Sequence, residues 1–160
     1  MEEEFHNHMR IPWHDYTRKS IGRPITEASL SEKASIIGRT GIMLLSCGTG
    51  AWRVRSSMNT LARELGITCT ADIGLLSIEY TCIDGGNCYT ESLCLFNTGV
   101  NTSKLYRMEL FVNKFSKNCK KMSGDELHTL LDQIHEIHGF YSPPFLGLAA
   151  VQYYHLTSQT

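Results

Sequence analysis

Ile42-Met43-Leu44-Leu45-Ser46-Cys47-Gly48-Thr49-Gly50-Ala51-Trp52-Arg53-Val54 is the centre of a stretch, residues 35–66, that reads as two helices hinged at a glycine pair. On the N-terminal side Leu30, Ala34, Ile37, Gly41 and Leu44 recur at steps of three and four, the spacing of one apolar helix face. On the C-terminal side Val54, Met58, Leu61 and Leu65 form a second such stripe. Gly48 and Gly50 lie between them, where the chain can turn without a Cβ penalty. Gly66 stands where a C′ glycine closes a helix. Gly38 and Gly41 weaken a helix by roughly 1 kcal/mol each against Ala, so they predict close approach of another backbone.

Upstream, Ser29-Leu30-Ser31-Glu32 is a capping box that starts the first helix. Residues 1–28 hold Pro12, Gly22 and Pro24 with scattered apolar residues and predict an irregular arm that packs Trp13 onto the domain. Downstream the period changes. Ile67–Ile73 reads as a strand. Leu75–Ile83 and Cys88–Phe96 read as a hairpin around Asp84-Gly85-Gly86-Asn87. Centring that turn between the glycines pairs Ile83 with Cys88, Thr81 with Thr90, Glu79 with Ser92 and Ile78 with Leu93. This register puts Leu76, Ile78, Leu93 and Leu95 on one face, with Tyr80 and Tyr89, and Ser77, Glu79, Thr81, Thr90, Ser92 and Cys94 on the other.

A third helix, capped by Asn101, is predicted over Thr102–Asn118 with Leu105, Met108, Val112 and Phe115 inward. A second capping box at Ser123–Glu126 starts a fourth, running to about His138 with Gly139 as its stop. Ser142-Pro143-Pro144 ends helix formation. The expected fold is therefore α+β, an antiparallel sheet of three or more strands with helices on one face, in the order α-α-β-β-β-α-α. The expected division is an arm over 1–28, a soluble domain over 29–142 and a short apolar tail over 143–160.

The net charge of −1 exerts no global pull on nucleic acid or anionic membrane, so no nucleic-acid partner is expected. The acidic opening Met1-Glu2-Glu3-Glu4 is unlike a secretory leader. A reducing compartment follows, in which the six cysteines are free thiols, mostly buried. The apolar run Phe145–Tyr154 is shorter than the ~20 residues of a membrane span. With no Cys-x-x-Cys pair, and with His6, His8 and His14 on an irregular arm, no metal site is expected. His128, His135 and His138 lie on the fourth helix, the last two read as surface residues. No P-loop, dinucleotide fingerprint, Gly-x-Ser-x-Gly elbow or His-Glu-x-x-His is present, so no cofactor is expected. The polar groups left to weigh are Arg53, Arg55, Asp72, Glu79, Asn101 and Lys104. Cys47, Asp72 and Glu79 are the weak catalytic candidates, each needing a distant histidine.

Arg53 carries a cation in the first turns of the second helix, against the local dipole, which predicts an outside carboxylate partner: a substrate, Asp72 or Glu79.

The chain also resembles the N-terminal domain of the threonine/serine exporter family. Gly41, Met43, Leu44, Leu45, Gly48, Arg53, Val54, Met58, Leu65 and Gly66 match a pattern Gly-x-Leu-Leu-Leu-x-x-Gly-Ala-Glu-Thr-x-Arg-Val-Glu-x-x-Met followed by Leu-Gly. Asn97–Leu105 is similar to the family's segment before its next helix, and Tyr141–Ala150 to its lead-in to a first membrane helix. The chain departs from the pattern where Thr49-Gly50-Ala51 replaces Ala-Glu-Thr and where Arg55 replaces an acid.

The resemblance implies a cytosolic module of an amino-acid exporter, gating it, binding substrate or assembling subunits at the cytoplasmic face of the membrane; this chain alone is then soluble. It implies threonine or serine as ligand, and transmembrane segments or a membrane subunit as partner. Arg53, Asn101 and Lys104 become the candidate substrate-binding residues. Two other classes stand beside it, a hydrolase-like enzyme on an amino-acid or peptide substrate and a non-catalytic interaction domain. The apolar tail predicts a homo-oligomer.

Overall fold

The computed structural model describes residues 11–18, 20 and 22–137. Four helices and three strands follow one another: α1 (Leu30–Ser46), α2 (Ala51–Glu64), β1 (Thr68–Ile73), β2 (Ser77–Asp84), β3 (Asn87–Cys94), α3 (Thr102–Lys114) and α4 (Gly124–His135). The strands form one antiparallel sheet in the order β1-β2-β3. The fold is α+β in the predicted order, and each boundary has a local cause.

Both capping boxes form, Ser29 with Glu32 and Ser123 with Glu126. Asn101 accepts the Lys104 amide at the start of α3. Gly66 closes α2 with φ +71°, a left-handed conformation that side chains resist. The hairpin has the register read from its sequence, Ile78 opposite Leu93 and Ile83 opposite Cys88, with Asp84 opposite Asn87 flanking the turn. Helix α3 ends earlier than predicted, at Lys114, and passes into a π turn over Phe115–Cys119.

Helix α1 is the hub. From Glu32 to Leu45 every residue is buried, because β2 and β3, α2, α3, α4 and the N-terminal turns all rest on it. A single apolar stripe suffices for a helix on a surface; this one is enclosed on all sides. Its glycines permit that, though through side chains rather than the predicted backbone contact. A Cβ on Gly38 would collide with the Tyr80 ring, and one on Gly41 would come 2.6 Å from Met58 Sδ. Helix α2 behaves as a surface helix, burying Val54, Met58, Leu61 and Ala62 against α1 and β1.

The N-terminal residues are integrated more firmly than an arm. Trp13, in a 3-10 turn over Trp13–Tyr16, and Ile25, in another over Ile25–Glu27, both join the core. The Ile25 amide donates to the Met122 carbonyl at 2.8 Å, tying this segment to the start of α4. Among the described side chains Cys47, Cys69 and Cys82 are buried free thiols, as expected for most of the cysteines, and Cys88 and Cys94 are exposed free thiols. Both sit on the outer face of β3, which faces solvent as one face of an antiparallel sheet can. The tail Phe145–Tyr154 and the residues His6, His8, His138 and Gly139 lie outside the described residues. Among the described residues no helix is long and apolar enough to cross a membrane.

Candidate functional site

Three helix ends meet at one end of the domain. Helix α1 stops at Cys47, whose amide returns to the Leu44 carbonyl, and Gly48 then takes φ +77°. A Cβ there would have ordinary clearance from Gly99, so the conformation, not lack of space, calls for glycine. Gly50 is the N-cap of α2 and offers no side-chain acceptor, and the first turn of α2 holds no acidic residue. The Gly50 carbonyl takes the Arg53 and Val54 amides; the Ala51 and Trp52 amides have no hydrogen-bond partner among the described residues. The loop before α3 closes over this corner through the Gly99 amide, 3.2 Å from the Ser46 carbonyl.

A pocket of about 470 Å³ opens at the hinge. Leu45, Ile73 and Leu75 supply apolar wall; Gly48, Thr49, Gly50 and Ala51 supply the turn itself; Thr98 completes the rim. Thr49 is 7% exposed, and its Oγ1 is the buried side-chain polar atom that pairs with nothing among the described residues. Leaving such a hydroxyl unpaired costs about 1–3 kcal/mol. Three apolar side chains stand exposed beside the pocket: Leu75 on its wall, Trp52 against Gly50 and Val100 against Gly48.

The candidate residues from the sequence fall around this corner unequally. Cys47 is buried at the end of α1, and burial pushes its thiol up, against smaller opposite effects of the Ser46 hydrogen bond and the Lys104 charge. A thiol held protonated is a poor nucleophile. Asn101 caps α3 and also donates its amide to the Ile137 carbonyl at 3.0 Å. Lys104 lies in the first turn of α3. Arg53 points elsewhere than the sheet: Nη1 is 3.1 Å from Glu109 Oε1 on α3, and its guanidinium lies over the Trp52 ring. Its neighbour Arg55 donates to the Ala71 carbonyl at 3.0 Å. Asp72 and Glu79 stand directly opposite each other on β1 and β2, both exposed on the outer sheet face.

Residues 35–152 match the family model ThrE, described as "Putative threonine/serine exporter". The chain belongs to the threonine/serine exporter family. The match includes α1 from Ser35 onward, the whole hinge, α2, the sheet and α3 and α4. No curated protein and no solved structure gives a significant match.

This exporter-family domain holds a second polar centre, on the α4 side of α1, which sequence reasoning missed. His128 is fully buried, with Nε2 3.0 Å from Ser35 Oγ and Nδ1 3.2 Å from Arg39 Nη1. A serine beside a histidine invites comparison with a hydrolase, and the hydrogen-bond directions answer it. Arg39 can only donate, so Nδ1 accepts and the neutral ring carries its proton on Nε2. That proton goes to Ser35 Oγ, whose own hydrogen goes to the Glu32 carbonyl at 2.7 Å. The relay runs opposite to that of a general base activating a serine. Burial, then the Arg39 charge, pushes the His128 pKa down to about 3, which keeps the ring neutral.

Around it everything is paired. Arg39 donates to the His128 carbonyl at 3.0 Å and to Asp132, and stacks with Trp13. His14 lies between Asp125 Oδ1 at 2.6 Å and Asp132 Oδ2 at 2.8 Å. Those bonds, that to Asp125 first, raise the His14 pKa, and both ring nitrogens are occupied. Among the described residues no cluster is suited to a metal ion.

Proposed function

We propose that this chain is the soluble N-terminal module of a threonine/serine exporter-like membrane protein, and that its hinge end is the working face. The observation that carries the reading is the position of the pocket. It lies inside the family match, at the junction of α1 and α2, where Leu45 and Gly48 fit the family pattern and Thr49-Gly50-Ala51 departs from it. Trp52, Leu75 and Val100, exposed together there, suit docking against transmembrane segments, since grouped apolar side chains on a surface mark interaction sites. In this reading the module presents or gates a small amino acid at the entrance of the transport path. Catalysis has no comparable support, because Cys47 is held protonated and Ser35 is oriented the wrong way.

The test is efflux of labelled L-threonine and L-serine from cells expressing the full-length protein that carries this domain, with wild-type sequence or with Trp52→Ser and Leu75→Ser combined. Both residues are exposed, so the fold should tolerate the changes. Efflux should fall severalfold while protein level is unchanged. Efflux equal to wild type in the double variant would remove the hinge end from transport.

A further inference from the structure

The first two strands bring two thiols face to face. Cys69 on β1 and Cys82 on β2 are direct partners in the antiparallel register. Both are buried in the core, on the sheet side where α2 packs against β1 and α1 against β2. Whether such a pair can join depends on its place in the ladder. Hydrogen-bonded pairs alternate with non-hydrogen-bonded ones, and the latter hold their Cα atoms about 4.5 Å apart rather than about 5.5 Å.

Two backbone bonds fix the alternation. The Leu95 amide donates to the Leu76 carbonyl at 2.7 Å, so the even-numbered residues of β2 turn their backbone groups toward β3. The Gly74 amide donates to the Ser77 carbonyl at 2.9 Å, so the odd-numbered residues turn theirs toward β1. Cys82 therefore forms a non-hydrogen-bonded pair with Cys69, the closer kind. A Cα separation of about 4.5 Å lies within the roughly 4.4–6.8 Å that a disulfide spans. The exposed thiols of β3 have no such arrangement, since Cys88 stands opposite Ile83 and Cys94 opposite Ser77.

The two thiols also differ. Cys69 lies on an edge strand and is 7% exposed, whereas Cys82 lies on the central strand and is fully buried. A hydrogen bond from Cys82 favours the Cys69 thiolate and outweighs burial, which opposes it; the same bond and burial hold Cys82 protonated. Cys69 otherwise reaches the Thr70 carbonyl at 3.9 Å, a weak contact.

We infer that Cys69 and Cys82 form a thiol–disulfide modification site, closed by exchange with a low-molecular-weight disulfide such as glutathione disulfide. The Cys69 thiolate attacks one sulfur of that disulfide, breaks its S–S bond and expels one thiolate. Cys82 passes its proton to a departing thiolate and attacks Cys69 Sγ of the mixed disulfide, expelling the second thiol. The protein gives up two hydrogens with two electrons, and the small disulfide leaves as two thiols. The new bond ties edge strand β1 to β2 and constrains the unfolded chain. This site does not depend on the exporter reading.

Reduced, folded full chain is treated with glutathione disulfide, alkylated, digested after Asp and Glu without reductant, and mapped by mass spectrometry. Asp72 and Glu79 separate Cys69 from Cys82, and Asp84 separates both from Cys88. The Cys69 and Cys82 peptides should emerge joined and lighter by two hydrogens. Cys88 and Cys94 should carry glutathione and react sooner, because a buried sulfur waits for the edge strand to open. In Cys82→Ala, Cys69 should stop at the mixed disulfide, with no thiol left to resolve it. In Cys69→Ala, Cys82 should stay a free thiol. On a Cys88→Ser, Cys94→Ser background, oxidation should raise the melting temperature by several degrees, reversed by dithiothreitol. Cys69 and Cys82 both still alkylated when Cys88 and Cys94 are fully modified overturns the site. Either one joined to a different cysteine, or each carrying its own glutathione, overturns the pairing. Glutathione on Cys82 in Cys69→Ala, with Cys69 unmodified in Cys82→Ala, overturns the order of attack.

Discussion

The two ends of α1 handle polar groups in opposite ways. Toward its N-terminus, Glu32, Ser35 and Arg39 are buried and each is paired: Glu32 by Ser29 and Ser20, Ser35 by Glu32 and His128, Arg39 by His128 and Asp132. At its C-terminus, Thr49 is buried and unpaired, and the following helix starts without a cap. Buried polar groups are normally satisfied, because the interior offers nothing in place of water. The closed end therefore reads as structure and the open end as a place kept for something else. Family membership alone would not have distinguished them, since the match takes in Ser35, Arg39, His128 and Asp132 as well as the hinge.

The largest effect should come from breaking the closed end. Arg39→Met leaves His128 Nδ1 without its donor and Asp132 with His14 in place of two partners. Removing one partner of a buried pair costs 3–5 kcal/mol, and Asp132 is half-exposed, so about 3 kcal/mol is expected in denaturant unfolding. A loss below about 1 kcal/mol would mean that Arg39 is solvated. Next comes Gly38→Ala, which drives a methyl group into the Tyr80 ring. Overpacking of this kind costs roughly 1–3 kcal/mol. Much of that loss should be absent when the change is made on a Tyr80→Leu background, and additive losses would show that the two do not meet.

The pH dependence sharpens the comparison, because the two histidines of the closed end act with opposite sign. The pKa of His128 is depressed, from an ordinary 6.5 to about 3. Below 6.5 the unfolded chain takes up a proton that the folded chain refuses, so stability falls toward acid by up to about 1.4 kcal/mol per pH unit. The pKa of His14 is raised. Its contribution is complete below 6.5 and is lost as pH rises through the folded value. It is a smaller term, because the pair is partly solvated. Unfolding curves across pH should show His128→Leu flattening the acid limb and His14→Gln flattening the neutral limb. A His14→Gln variant with the wild-type profile would show that the bridge to Asp125 and Asp132 contributes nothing. The smallest effect belongs to Arg53→Ala. Its pair with Glu109 is exposed, so less than about 1 kcal/mol should be lost.

Much of the fold was legible because its signals are local. Ser29 with Glu32, Ser123 with Glu126, Asn101 and Gly66 each act within one helical turn, and the Gly85-Gly86 turn sets the whole hairpin register. The closed polar centre was missed because His128 and Arg39 meet across 89 residues. A signal was nonetheless present: Ser35 and Arg39 stand four apart on α1, and His128 and Asp132 repeat that spacing on α4. Two polar pairs at helical spacing, one of them on a buried helix, ask to face each other. For Arg53, dipole reasoning anticipated a carboxylate partner but not its place, which is on α3 rather than the sheet. Thr49 gave no sign at all, since whether a hydroxyl finds a partner depends on everything folded around it.

The contrast between the two ends is tested most directly by thermal unfolding of Thr49→Val beside Ser35→Ala, without ligand. Removing the Ser35 hydroxyl strands the His128 proton and should cost about 1–3 kcal/mol, a fall of roughly 2–4 °C per kcal/mol for a chain of this size. Removing the Thr49 hydroxyl strands nothing and should leave the melting temperature at or above that of the wild type. If Thr49→Val melts as low as Ser35→Ala, the Thr49 hydroxyl is already satisfied in the free protein, and the hinge is not an open site.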